Sequence, residues 1–148
     1  MFFQKVLKLD ETQAFFDKSK KKLLSAHSSY DLEDYSSAVS LSYYAMFLVA
    51  KALILKKGVK APKTHNGLIY LFKVNYIDQD DFSYEKYVYL ADTQSDREDA
   101  DYDAFDELDE RIARKRIKQS NKSGRLLAPP LLRTGRVALT TIRLKHTL

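Results

Sequence analysis

Apolar positions recur along this chain in clumps with a helical period, and the strongest clump lies at about a third of its length. From Leu32 to Lys57 the string LEDYSSAVSLSYYAMFLVAKALILKK opens on acids, closes on lysines and is followed by Gly58. That order suits the helix macrodipole and a glycine C-cap. Tyr35, Ala38, Val39, Ser42, Ala45, Met46, Val49, Ala50 and Leu53 recur at i, i+3, i+4 and predict one buried stripe. Leu41, Tyr44, Leu48 and Leu55 fall outside it. A helix apolar on more than one side is buried on more than one side, so the second stripe predicts either a neighbouring helix or another subunit. Leu41, Tyr44 and Leu48 are its interface candidates.

Shorter patterns flank this helix. Asp10 with Gln13 has the spacing of a capping box and predicts a helix from there to about Ala26, with the Lys18–Lys22 cluster on its wet face. After Gly58, Pro62 disfavours helix at Ala61 and Thr64 is placed to cap a short helix over about His65 to Asn75. Ser83 can cap another through YEKYVYLADTQSDRED, and a last helix is expected from Asp106 to about Lys122. Beyond Ser123 the 3.6-residue period stops. The expectation is an all-α, up-and-down bundle of four to five helices in residues 1–122, followed by a basic irregular tail, 123–148, which reads as disordered chain or the product of a lost reading frame.

Composition supports helices: the 148 residues include only four Gly and three Pro, too few for the many turns of an all-β domain. With no cysteine, disulfides, thiolate metal sites and a cysteine nucleophile are excluded, and a reducing, cytoplasmic setting is expected. Lys51, Lys56 and Lys57 interrupt the best apolar run, and MFFQKVLKLDE lacks the layout of a secretory signal, so neither membrane insertion nor export is expected. The net charge of +5 suggests a polyanionic partner until its distribution is read. All 20 acids stand in residues 1–110 against fourteen basic residues, whereas 111–148 holds eleven basic residues and no acid. The basic character belongs to the C-terminal quarter.

No glycine-rich phosphate loop, paired-histidine metal site or nucleophile elbow is present, and His27, His65 and His146 are far apart in sequence; no metal and no cofactor is expected. Three strings remain as candidate chemistry: SYYAMFLVAKALILKKG, KTHNGLIYLF and DREDADYD. In this order and spacing they resemble the HEPN family, in its branch of small stand-alone archaeal and bacterial proteins. The resemblance is carried by Tyr43 to Phe47, by Lys51, Ala52, Leu53 and Gly58, by Lys63, Thr64, His65 and Gly67, and by Arg97, Ala100, Asp101, Tyr102 and Asp103.

The resemblance implies a bundle that often forms a homodimer, frequent pairing with a minimal nucleotidyltransferase, and toxin–antitoxin roles for many relatives. In its ribonuclease members an Arg, four to six residues, then a His form the site, usually in a dimer cleft. Such a pair suits the work, since His moves protons near neutral pH and Arg holds phosphate through paired charged hydrogen bonds. Here Tyr102 stands where that His would be, and Leu41-Ser42 stands where relatives often carry Arg-Ala. A tyrosine, with an ordinary pKa of about 10, is a poor general base at neutral pH.

Three functional readings follow. The leading one is a nucleotide- or RNA-associated protein partnering a minimal nucleotidyltransferase, with Lys63, Thr64, His65, Arg97, Asp101 and Tyr102 as ligand-binding candidates. A metal-independent ribonuclease using Arg97 and Tyr102 is the second, and a structural adaptor with no ligand the third. Against each site stands a plain structural role: a helix cap for Thr64, a local ion pair for Arg97 with Asp101, and core packing for Tyr43 and Tyr44.

Overall fold

The computed structural model describes residues 2–102 and 108–132. Five α-helices follow in chain order: α1 (Phe2–Asp31), α2 (Tyr35–Lys56), α3 (His65–Phe72), α4 (Tyr84–Tyr102) and α5 (Glu110–Leu132), with a π-helical turn, Lys73–Ile77, continuing α3. No strand occurs among the described residues. The fold is the all-α bundle that the apolar pattern predicts, with α2 at its centre packed against α1, α3, α4 and α5.

Each element has a local cause. α2 begins at Tyr35 rather than Leu32, because Glu33 takes a left-handed conformation (φ 62°) and Asp34 caps the helix by accepting from the Ser37 amide at 3.2 Å. Asp34 thereby satisfies one of the free amides of the first turn. Gly58, at φ 77°, ends α2 in the left-handed region where a side chain is disfavoured. Thr64 caps α3 through its hydroxyl, which accepts from the Gly67 amide at 3.1 Å.

Two helices outrun their sequence patterns. α1 starts at Phe2 and not at Asp10, and Gln13 donates to Asp17 at 3.0 Å instead of forming a capping box. No glycine or proline interrupts FFQKVLKLDE, and extending a formed helix adds a hydrogen bond for each residue fixed. α5 begins at Glu110, beside an Asp109 side chain that accepts from the Ile112 amide at 2.9 Å, and continues through Ser123 to Leu132, past the point where the apolar period stops. The small residues Ser120 and Ser123 are both buried, so the helix packs there without large apolar side chains. α3 is shorter than expected because the backbone widens into the π turn at Lys73. The expected helix start at Asp106, Asp103 of the DREDADYD string, the tail beyond 132 and His146 lie outside the described residues.

The core has two parts. The larger gathers Phe16, Tyr43, Met46, Val49, Leu53, Ile54, Leu68, Phe72, Tyr76 and Leu90 around α2; the smaller joins Ala26, Ala38, Val39, Leu108, Ala113 and Ile117 between α1, α2 and α5. Small residues let α5 approach closely: the Ser120 hydroxyl donates to the Ser42 carbonyl at 3.2 Å. By length and composition α2 could cross a membrane, but 67% of its most apolar window is buried inside the bundle, which is the burial of a core helix. Of the second stripe, Leu48 is buried within the single chain while Leu41, Tyr44 and Leu55 are half-buried. Leu48 is 8% exposed, Leu41 packs against the smaller core and Tyr44 against the larger.

That covering makes Leu48→Glu a core substitution. It removes a buried leucine, a loss worth about 2–5 kcal/mol on the scale of leucine truncation, and adds the cost of burying a carboxylate. Urea unfolding followed by circular dichroism is expected to show a large loss of stability; a wild-type midpoint would identify this face as surface.

Candidate functional site

The three strings singled out by the sequence converge at one place, where the first residue of α3 and the last two turns of α4 meet the middle of α2. Tyr43 is fully buried in α2, and a buried hydroxyl without a partner is costly. Its partner is His65, whose Nδ1 lies 2.8 Å from the Tyr43 hydroxyl. The imidazole stacks on Phe47 at 4.4 Å between ring centroids and on Tyr43 at 5.8 Å, and meets the Tyr44 ring edge-on at 6.1 Å.

Local structure sets the position of His65. Thr64 fixes the first turn of α3 as its cap, and a Cβ at Gly67 would lie 2.7 Å from the Thr64 hydroxyl oxygen and 3.2 Å from Pro62. Glycine at 67 is therefore a condition of the cap, and the cap in turn aims His65 at α2.

Arg97 enters from α4. Its guanidinium carbon lies 5.3 Å from the Tyr43 ring centroid and 5.6 Å from that of Tyr44, within cation–π range of both. Its Nη1 donates to the Tyr44 hydroxyl at 3.2 Å and meets Asp101 at 3.3 Å. Its Nε is buried without a hydrogen-bond partner. A neighbouring polar chain continues the site: the Gln94 amide donates to Asn66 at 2.9 Å and to Glu98 at 3.0 Å, tying α4 to α3.

The electrostatics follow from this packing. Burial pushes the His65 pKa below its ordinary 6.5, the Arg97 charge pushes it the same way, and Glu98 opposes both. Burial also pushes the Tyr43 hydroxyl well above the usual tyrosine range, with Arg97 acting against it. At neutral pH the cluster therefore holds a neutral imidazole, a neutral phenol and a guanidinium.

Of the residues marked in the sequence, the structure brings together His65, Arg97 and Asp101, with Tyr44 from the interface set. Lys63 is exposed ahead of α3, and the Thr64 hydroxyl is used by the cap. Tyr102 is 89% exposed at the end of α4, while Arg97 faces α2. Sequence reasoning treated Tyr43 as core, marked Phe47 only as part of the family resemblance, and gave no role to Asn66, Gln94 and Glu98. The signal available for Tyr43 was its place one residue from Tyr44 on a helix, which turns the two rings onto adjoining faces. Among the described residues no group of three or more acidic or histidine side chains is placed to hold a metal ion.

An all-α bundle is the architecture that the motifs imply, and the family comparison agrees. The chain matches the HEPN domain family over residues 12–122 and belongs to it. It is 35% identical over 98 residues to a Methanocaldococcus jannaschii protein named "Putative toxin MJ0142", a match covering 66% of each chain. A "UPF0332 protein" of Archaeoglobus fulgidus is 31% identical over 116 residues, covering 76% of this chain and 88% of that one. A second M. jannaschii protein, "Putative toxin MJ0605", is 34% identical over 70 residues, about half of each chain. The match thus leaves about a third or more of both M. jannaschii proteins uncovered.

The lowered pKa of His65 has a signed consequence for stability. As pH falls through about 6.5, the ordinary histidine value, the unfolded chain takes up a proton before the folded chain does, so this group's contribution is complete above that pH and is lost below it. Urea midpoints of the wild type and of His65→Gln, compared from about pH 7.5 down to about pH 5, are expected to converge or cross as pH falls. Parallel midpoints over that range would remove His65 as the titrating group.

Proposed function

We propose that this HEPN protein is toxin-like and engages the phosphate backbone of RNA through Arg97. The observation that carries the reading is the state of that side chain. It is held over two aromatic rings with one nitrogen on Tyr44, while its buried Nε has no partner. A guanidinium held over aromatic rings keeps its attraction for an anion, and its ion pair with the exposed Asp101, at 3.3 Å, is weak enough for a phosphate to displace. The names of the two M. jannaschii relatives support the toxin-like character.

The outer face of α5 favours a polyanion over a single nucleotide. Arg111, Lys115, Lys118 and Lys122 recur there at i, i+4, i+7 and i+11, and all four are exposed. Arg116, between them in sequence, turns inward to pair with Asp96 of α4 at 2.6 Å, next to Arg97 in the chain. Asp96, Arg111, Ile112, Lys115 and Arg116 line a cleft of about 210 Å³ between the two helices. The basic stripe and Arg97 thus share α4 as their common support.

The homodimer, the minimal nucleotidyltransferase partner, cytoplasmic residence and a functional body ending near Lys122 belong to the same proposal and rest on the family resemblance and composition. The ribonuclease reading with Tyr102 has less support, because Tyr102 is turned to solvent while Arg97 is directed at α2.

Binding of a single-stranded oligoribonucleotide, followed by fluorescence anisotropy, tests the proposal. Arg97→Ala is expected to weaken binding by about tenfold or more, the scale of a charged hydrogen bond. Each of Lys115→Gln and Lys118→Gln is expected to lower the slope of log affinity against log salt by about 0.7. Unchanged affinity in Arg97→Ala would overturn the assignment of the site, and an unchanged salt slope would remove α5 from it. Light scattering at micromolar concentration tests the dimer, and a monomer mass would end that part.

A further inference from the structure

The proposed RNA site contains a second group, His65, marked in the sequence as a ligand-binding candidate but with no chemical role given to it. His65 comes from α3 and Arg97 from α4, yet both rest on the same two tyrosines: Arg97 lies over the Tyr43 and Tyr44 rings, and His65 stacks on one and meets the edge of the other. The Arg–His pairing that DREDADYD lacks along one helix is present here in space.

The hydrogen bond to Tyr43 couples the direction of donation to the nitrogen of His65 that carries the proton. Tyr43 is fully buried and its hydroxyl keeps its hydrogen, so that hydrogen needs an acceptor. The acceptor 2.8 Å away is His65 Nδ1. A neutral imidazole that accepts at Nδ1 must hold its proton at Nε2. Among the described residues the buried side-chain nitrogen left without a partner is Arg97 Nε; His65 Nε2 is not in that condition, and its residue is half-buried. The groups facing the ring are Tyr43, Tyr44 and Phe47 from α2 with Arg97 and Glu98 from α4.

We propose that His65 binds the phosphodiester engaged by Arg97 as a neutral hydrogen-bond donor through Nε2–H, and that Tyr43 is the positioning residue that fixes this tautomer. The inference rests on the reading of Arg97 as an RNA-phosphate group and adds a second donor of different charge. In this tautomer Nε2 has no lone pair for a proton, so His65 holds the backbone and does not deprotonate a ribose hydroxyl. Two donors from different helices also give the site a direction: Arg97 supplies the charge, and His65 selects a phosphate oxygen on the α3 side.

The test uses the full chain and an oligoribonucleotide with a 5′ dye and a 3′ hydroxyl, so that every phosphate is a diester with no titration near neutral pH. The expected results are a roughly tenfold loss of affinity in His65→Ala and recovery of most of it in His65→Gln, whose amide is also a neutral donor. Tyr43→Phe is expected to weaken binding by about two- to fivefold, since a freed ring is shared between tautomers. Wild-type affinity is expected to vary less than about twofold between pH 7 and 8.5, whereas binding as imidazolium would lose about tenfold per pH unit above the His65 pKa. Imidazole nitrogen chemical shifts in the free protein read the tautomer directly and are expected to show the proton on Nε2. Wild-type affinity in His65→Ala alongside lost binding in Arg97→Ala would overturn the role of His65 and leave the Arg97 reading standing. A proton on Nδ1, or a steep fall of affinity with pH, would overturn the tautomer. Unchanged binding in Arg97→Ala would instead remove the site on which both readings rest.

Discussion

The hydrogen bond between the Tyr43 hydroxyl and His65 is the constraint on which the rest of the site depends. Tyr43 occupies the middle of the most buried helix, where its ring contributes apolar area but its hydroxyl must find a partner. Meeting that need from α3 requires the turn before the helix to deliver His65 at one height on α2. Thr64 as cap, Pro62 behind it and the missing side chain at Gly67 together fix that turn. A demand created in the core is thus answered at the surface, and the answer places an ionisable ring beside Arg97.

The aromatic cradle changes what the arginine can do. A guanidinium lying over two rings is partly removed from water yet keeps its charge, because the ring faces attract cations. Burial holds His65 and Tyr43 in their neutral forms; the arginine's charge adds to that for His65 and opposes it for Tyr43. Asp101 meets the arginine from an exposed position, so their pairing is weak and an incoming anion can compete with it.

How much of this was legible in the sequence differs by element. The central helix could be read because its stripe repeats over about five turns and its ends carry acids, lysines and a glycine. Its first residue could not, since the left-handed Glu33 that makes Asp34 the cap has no signature at that position. The lengths of α1 and α5 were hidden because helix propagation needs no apolar period, and small buried serines pack as well as leucines where two backbones come close. Arg97, His65 and Asp101 were visible as motif residues. Their meeting was not, because it depends on the rotation of α4 about its axis and on the height of α3 along α2. Leu48, marked as a possible contact between subunits, is covered inside the single chain, since α2 has neighbours on nearly every side.

One consequence lies in the two neighbouring residues Asp96 and Arg97. Successive side chains on a helix point about 100° apart, and here each is tied to a different neighbour: Asp96 to Arg116 of α5, Arg97 to Tyr44 of α2. Two anchors at different azimuths stop α4 from rolling about its long axis, as a shaft is stopped by two keys set around its rim. Sliding along that axis would have to break both at once. The arginine therefore takes its bearing from the bundle as a whole, and the seat of α5 on α4 bears on the site through the helix that carries both residues.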